Sequence, residues 1–140
     1  MQVDGIFSTT IDVLGKSIDL RSKNQNLIAS NIANAETPNY VPKRLNFESQ
    51  LQGALKGEGH QAATVSNPRH IPVRGASARL QGVSGTVVDA PARTPGKDGN
   101  AVELENEMSQ MVENQVMYNA SVQILAKKFE GLRAAIREGK

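Results

Sequence analysis

The sequence predicts a mainly α-helical chain: long N- and C-terminal helices forming a coiled-coil pair, joined by an irregular middle segment with short β-strands. Three observations carry that expectation. Apolar residues recur at alternating steps of three and four at both ends of the chain. All six prolines, with most of the glycines, fall between those ends. Acidic and basic residues gather at opposite ends of the last periodic stretch. The expected units are an N-terminal helix within residues 1–37, a weakly β middle segment at 38–99, and a C-terminal helix within 100–140.

The first periodic stretch covers about residues 8–35. Phe7, Ile11, Leu14, Ile18, Ile28, Ile32 and Ala35 follow the series, with polar Arg21 and Gln25 interrupting it. The hydroxyl of Thr9 or Thr10 can accept from orphan N–H groups at the helix start. Pro38 is expected to end the helix, because the residue before a proline is pushed out of the α region. At ~1.5 Å per residue this helix is about 42 Å long.

The last stretch, about residues 101–137, has the cleanest pattern. Leu104, Met108, Met111, Gln115, Tyr118, Val122, Leu125, Phe129, Leu132 and Ile136 keep the spacing with one polar member. Asn100 and Glu103 have the spacing of a capping box. Glu103, Glu105 and Glu107 sit at the positive end of the helix dipole, and Lys127, Lys128, Arg133 and Arg137 at the negative end. Its expected length is roughly 55 Å.

Between these rods the periodicity dissolves. Val65, Ile71, Val73, Leu80, Val83, Val87 and Val88 are candidates for two to four short strands, Gly85–Ala90 among them. So long a stretch with so few apolar residues is expected to be ordered by its neighbours rather than to fold alone.

Each helix carries a second apolar set, well round from the heptad seam. In the first it is Val13, Leu20 and Leu27, spaced by seven; in the last it is Met117 and Ile124, also seven apart. A two-helix pair, parallel or antiparallel, within one subunit or between two, covers one stripe per helix. Burial of each such residue is worth roughly 1.5–3 kcal/mol. The second stripe therefore packs either on the middle segment or on helices of neighbouring subunits. The scarcity of large apolar residues in the middle favours the neighbours, and implies a monomer that is partly unfolded until it assembles.

Composition narrows the function classes. Sixteen basic and fourteen acidic residues leave a net charge of +2, too even for a protein that depends on neutralising phosphates. With no cysteine, disulfides and thiolate metal sites are excluded. No stretch approaches the ~18 apolar residues of a membrane span. The N-terminal residues lack the basic start and apolar run of a secretory signal, so any export is expected to cleave nothing.

One motif is specific. Residues 31–40 read Asn31, Ile32, Ala33, Asn34, Ala35, Glu36, Thr37, Pro38, Asn39, Tyr40. Physically this is a helix C-terminus breaking into a fixed turn. Small Ala33 and Ala35 permit close approach, the Asn amides can satisfy end-of-helix backbone groups, Pro38 locks the exit and Tyr40 anchors the next strand or loop. The decapeptide resembles the N-terminal signature of bacterial flagellar rod and hook proteins, roughly N-[IL]-A-N-A-x-T-P-G-Y. It departs at Asn39, where the family usually has Gly; Asn tolerates a left-handed backbone next best. Arg69-His70-Ile71-Pro72 and the run from Asp98 to Glu105, with the short length, are most similar to the proximal rod members of the basal-body rod family. The resemblance covers essentially the whole chain, the middle least.

The resemblance implies a structural subunit of the basal-body rod, on the periplasmic side of the inner membrane, required for flagellar motility. It implies unfolded passage through the flagellar type III export gate without a cleaved signal. Polymerisation then follows at the base of the rod, the terminal helices forming a coiled-coil inner tube. Implied partners are other copies and other rod subunits, the adaptor at the membrane ring, and the export gate. No cofactor, nucleic acid or membrane insertion is implied. By analogy Phe7, Ile11 and Leu14 fit an export-recognition segment; plain helix seam accounts for them equally well.

Rival classes fare worse. Of the two histidines, His60 and His70, His70 sits between Arg69 and Ile71-Pro72, a poor setting for a base that needs a carboxylate orienter, and no nucleophile elbow, phosphate loop or zinc helix is present. Arg69, Arg74, Arg79, Arg93, Lys97 and Lys43-Arg44 make the middle basic. Aromatics for base stacking are scarce there, however, and Asp89 and Asp98 interleave, so a solvated or salt-bridging surface is favoured over nucleic-acid binding. A helical effector or tip protein of a related injection machine would share the heptads but should lack the 31–40 turn.

Overall fold

A computed structural model describes residues 4–57, 76–92 and 94–138. In chain order the elements are α1 (Asp4–Ala33), β1 (Lys43–Asn46), α2 (Glu48–Lys56), α3 (Ala76–Gln81), β2 (Thr86–Asp89) and α4 (Leu104–Glu138). The two long helices lie antiparallel within the one chain: Asn31 near the end of α1 meets Glu107 at the start of α4, and Asn24 meets Asn114 one heptad on. The mainly helical class with a small sheet in the middle is as the periodicity predicts.

The long helices differ from expectation at their starts. Thr9 and Thr10 lie inside α1, which begins at Asp4. Asn100 and Glu103 form no capping box: α4 begins at Leu104, and the Asn100 side-chain oxygen takes the Val102 N–H at 2.7 Å. α1 itself gives way at Ala33, ahead of Pro38.

β1 and β2 form a two-stranded antiparallel ribbon, with Lys43 opposite Asp89 and Asn46 opposite Thr86; β2 is the strand expected at Gly85–Ala90. Gly85 enters it at φ 69°, and a Cβ there would run into Leu45 across the ribbon. Leu80 belongs to α3 and Val83 to the loop after it, rather than to strands. Val65, Ile71, Val73, His60, Arg69, His70, Pro72, Arg74 and Arg93 lie outside the described residues.

α2 is a short helix that Gly57 closes in the left-handed region, φ 74°. It and α3 are bridged by the Arg79 guanidinium, whose Nε donates to the Ala54 carbonyl at 2.9 Å. Ribbon, α2 and α3 close over one side of α1. Leu20, Leu45, Phe47, Ala54, Leu80 and Val83 are buried together, with Val13, Leu27 and Leu51 packed against them. This corrects the assignment of Val13, Leu20 and Leu27 to contacts with neighbouring subunits: the middle segment covers them. It is enough because residues far apart in sequence, Leu45 and Phe47 from one end and Leu80 and Val83 from the other, converge on that stripe.

Candidate assembly site

The turn at residues 31–40 holds the two long helices together. Asn31 is only 1% exposed, and its side chain is fully engaged. Its amide nitrogen donates to the Lys43 carbonyl and to Glu107 Oε2, both at 2.8 Å. Its oxygen accepts from the Lys43 N–H at 2.9 Å and from the Tyr40 hydroxyl at 3.3 Å. One side chain thus joins α1, the start of β1 and α4. Asn34 caps its own helix, donating to the Ser30 carbonyl at 2.8 Å and accepting from the Thr37 hydroxyl. Ile32 is half-buried on the next turn, while Ala33, Thr37 and Pro38 are exposed.

The Asp98-Gly99-Asn100 run closes on this turn. Asn39 stands in the left-handed region at φ 58° and donates its N–H to the Asp98 carbonyl. The buried Asn100 amide donates to the carbonyls of Asn34 (3.0 Å) and Thr37 (2.7 Å), satisfying acceptors the helix end leaves free. Gly99, φ 77°, passes so close to Asn39 that a Cβ would strike its side-chain oxygen. The Ala101 N–H reaches the Tyr40 carbonyl at 3.0 Å. Two motifs read separately in the sequence form one clasp.

Glu107 is 2% exposed, bonded to Asn31 and 3.6 Å from the Arg44 guanidinium. It does more than complement the helix dipole, the role assigned to it with Glu103 and Glu105, which are exposed. One heptad along, Asn114, 4% exposed, donates to the Arg21 carbonyl (2.9 Å) and to Gln25 Oε1 (2.7 Å). Ile28, fully buried, packs at this level, while Ile11, Leu14 and Ile18 further along α1 are half-buried.

α4 is therefore rotated relative to its apolar heptad. Met111, Tyr118, Leu125 and Leu132 are partly buried on the face that carries Asn114. Met108, Val122 and Phe129, expected in the same seam, are 55%, 39% and 51% exposed. The cause is polar: Arg21, Asn24, Gln25 and Asn31 face α4 from α1, and Glu107 and Asn114 answer them. What remains exposed is a flank of Met108, Val122, Phe129 and Ile136, multiples of seven apart, with Leu104, Val112 and Val116 on other faces of the N-terminal half. Met117 and Ile124, the expected second stripe, are also exposed, on the opposite flank. No described helix is long and apolar enough to cross a membrane.

A family of flagella basal body rod proteins matches residues 19–40, the stretch from Asp19 to Tyr40 that includes the turn. Over 131 residues the chain is 32% identical to the flagellar basal body rod protein FlgB of Cereibacter sphaeroides, spanning 94% of this chain and 96% of the relative. The FlgB protein of Salmonella typhimurium is 30% identical over 131 residues, covering 89% and 90%. This chain belongs to the flagellar basal-body rod protein family. The FlgB protein of Escherichia coli is 27% identical to it over 129 residues. The chain is accordingly a structural subunit of the proximal rod of the flagellar basal body, and it works among other rod components. Within that family the clasp explains the signature turn: the Asn31 side chain uses both its donors and both its acceptor positions, Asn34 ties the helix end to Ser30 and Thr37, and Asn39 supports the left-handed turn where the family pattern has Gly.

Sequence reasoning did not find Asn114, and it read Asn100 as half of a capping box and Glu107 as a dipole partner rather than by the contacts they make. A signal existed for two of them: Asn114 interrupts the face shared with Tyr118 and Leu125, and Asn100 sits in a Gly-Asn turn.

Proposed function

We propose that this chain polymerises through its long helices at the base of the rod, on the periplasmic side of the inner membrane, after export without a cleaved signal. It seats the rod on the membrane-ring adaptor and export gate below and on other rod proteins above, and is needed for motility. Residues 1–37 and 100–140 act as the assembly helices and 38–99 as the segment that covers α1. The role is mechanical, with no catalysis and no cofactor.

The observation that supports this reading is the arrangement of α4. It turns polar Glu107 and Asn114 inward and leaves a flank of large apolar side chains, Met108, Val122, Phe129 and Ile136, exposed. A surface of that kind is costly in water, roughly 25 cal/mol for each Å² left wet, and marks an interaction site. Ile11, Leu14, Ile18, Met111, Tyr118, Leu125 and Leu132 hold the pair within the subunit, while Met117 and Ile124 on one flank and Met108, Val122, Phe129 and Ile136 on the other are available to neighbours. The test is electron microscopy of cells lacking this chain. Basal bodies that stop at the membrane ring, without a rod, are expected; complete rods in that strain would refute the proposal.

A further inference from the structure

The small ribbon has two edges, and only one of them is closed. The Ala90 N–H donates to the Pro42 carbonyl at 2.8 Å, and Lys43 stands opposite Asp89. Bonded and non-bonded pairs alternate along an antiparallel ladder, so Arg44 with Val88, and Asn46 with Thr86, bond across the ribbon. Lys43 and Leu45 on β1, and Val87 and Asp89 on β2, therefore turn their backbone groups outward. On β1 this edge is closed by α1: Asn31 bonds the Lys43 N–H and C=O, and Asn24 accepts from the Leu45 N–H. On β2 the outward N–H and C=O groups of Val87 and Asp89 meet no partner among the described residues. All four residues of β2 are exposed, Val87 and Val88 by 44% and 40%. An open edge of this kind is a template for another strand.

We propose that β2 is extended by a strand from a different subunit of the rod. The incoming segment is extended, with an apolar side chain beside Val88 and a lysine or arginine beside Asp89. This rests on the reading of the chain as a rod subunit. The outward backbone groups of Val87 and Asp89 supply the affinity of such an addition, and the neighbouring side chains supply the choice of partner. Asp89 asks for the basic residue: Lys43 stands opposite it, yet Asp89 makes no ion pair with a described residue. A second copy of this chain fits less well. Its β1 edge is taken by Asn24 and Asn31, and among the described residues it has no third strand. Its β2 edge would pair antiparallel about Val88, with both Asp89 carboxylates on one face of the joint sheet. That contact is two-fold and closes as a dimer, whereas an extending rod needs contacts that repeat onward.

Proline distinguishes the two sides of β2. Val87→Pro removes an N–H that points outward, so the urea midpoint of the purified full-length chain should not move. Val88→Pro removes one directed at Arg44 and should lower it. Cells carrying Val87→Pro are expected to export the chain but to lack complete rods and swimming. Complete rods and normal swimming in that strain overturn the proposal. A second measurement does not depend on proline. Val88→p-benzoylphenylalanine is placed in the full-length chain, in cells that also make the unaltered chain, and isolated basal bodies are irradiated. Mass spectrometry of the cross-linked peptides should find an extended segment of another rod protein bearing a lysine or arginine, and adding Asp89→Lys should abolish that product. Adducts only to this chain, whether to β2 or to residues 58–75 of any copy, overturn the proposal, and so does the absence of any adduct. Failure of the rod assignment itself would appear separately, as complete rods in cells lacking the chain.

Discussion

Replacing Asn31 with Ala should be among the most damaging single changes in the chain. The side chain is 1% exposed and makes four hydrogen bonds, to Lys43 N–H and C=O, to Tyr40 and to Glu107. Its loss orphans two part-buried backbone groups, at about 1 kcal/mol each, and takes a donor from a buried carboxylate, about 2 kcal/mol more. The expected loss is roughly 4 kcal/mol, against a total of about 5–15 kcal/mol for an ordinary domain. Urea unfolding of the full chain, followed by circular dichroism, measures it. Asn31→Asp sharpens the test. It keeps the acceptor for Lys43 N–H but sets a carboxylate where Glu107 Oε2 now accepts at 2.8 Å. Burial and the neighbouring charge raise the introduced carboxyl's pKa in the folded state above its unfolded value. The added instability is therefore complete above that raised pKa and fades as pH falls from it toward the usual carboxylate range. A loss below about 1 kcal/mol for Asn31→Ala, or an Asn31→Asp penalty that grows on acidification, would refute the clasp as the fastening of the two helices.

Three further outcomes are expected from the same contacts. Asn114→Leu should leave the urea midpoint unchanged or higher, since apolar replacement of a buried polar residue is often tolerated, yet it should admit a second register. Disulfide scanning between α1 and α4 should then show cross-links displaced by one heptad, and a single register in the variant would count against a register role for Asn114. Gly99→Ala should cost roughly 2–3 kcal/mol, from its positive φ and the collision with Asn39, read as a lowered midpoint. Leu125→Asp should abolish rod assembly and swimming while the chain is still exported, because a charge in the helix pair cannot be desolvated cheaply; normal swimming by that variant would show that the seam is not needed for assembly.

Both long helices and the strand at Thr86–Asp89 were legible because their periodicity and turn residues are local signals. The rotation of α4 was not. A heptad read by apolarity assumes that the most apolar face is the one buried in the chain, whereas here Asn114 and Glu107 take that place and Met108 and Phe129 face out. Single-chain patterning carries no mark of whether a stripe is covered within the subunit or by another. The cover over Val13, Leu20 and Leu27 was equally hidden, since it is assembled from Leu45, Phe47, Leu80 and Val83, which no local rule brings together. α2 left a fainter trace in Leu51, Ala54 and Leu55 ahead of Gly57, a single turn of apolar spacing with a glycine stop. The clasp was half legible: both of its motifs stood out, but their contact needs the antiparallel return of α4.

If α4 is only half covered in the solitary chain and is completed by assembly, its amide protons must report the difference. Hydrogen exchange on the full-length chain, alone in dilute solution and within isolated basal bodies, tests this most directly. Rapid exchange is expected along α4 beyond Leu125 in the solitary chain, slow exchange there in the rod, and protection near Asn31 and Asn114 in both. Slow, uniform protection of the whole of α4 in the solitary chain would contradict it.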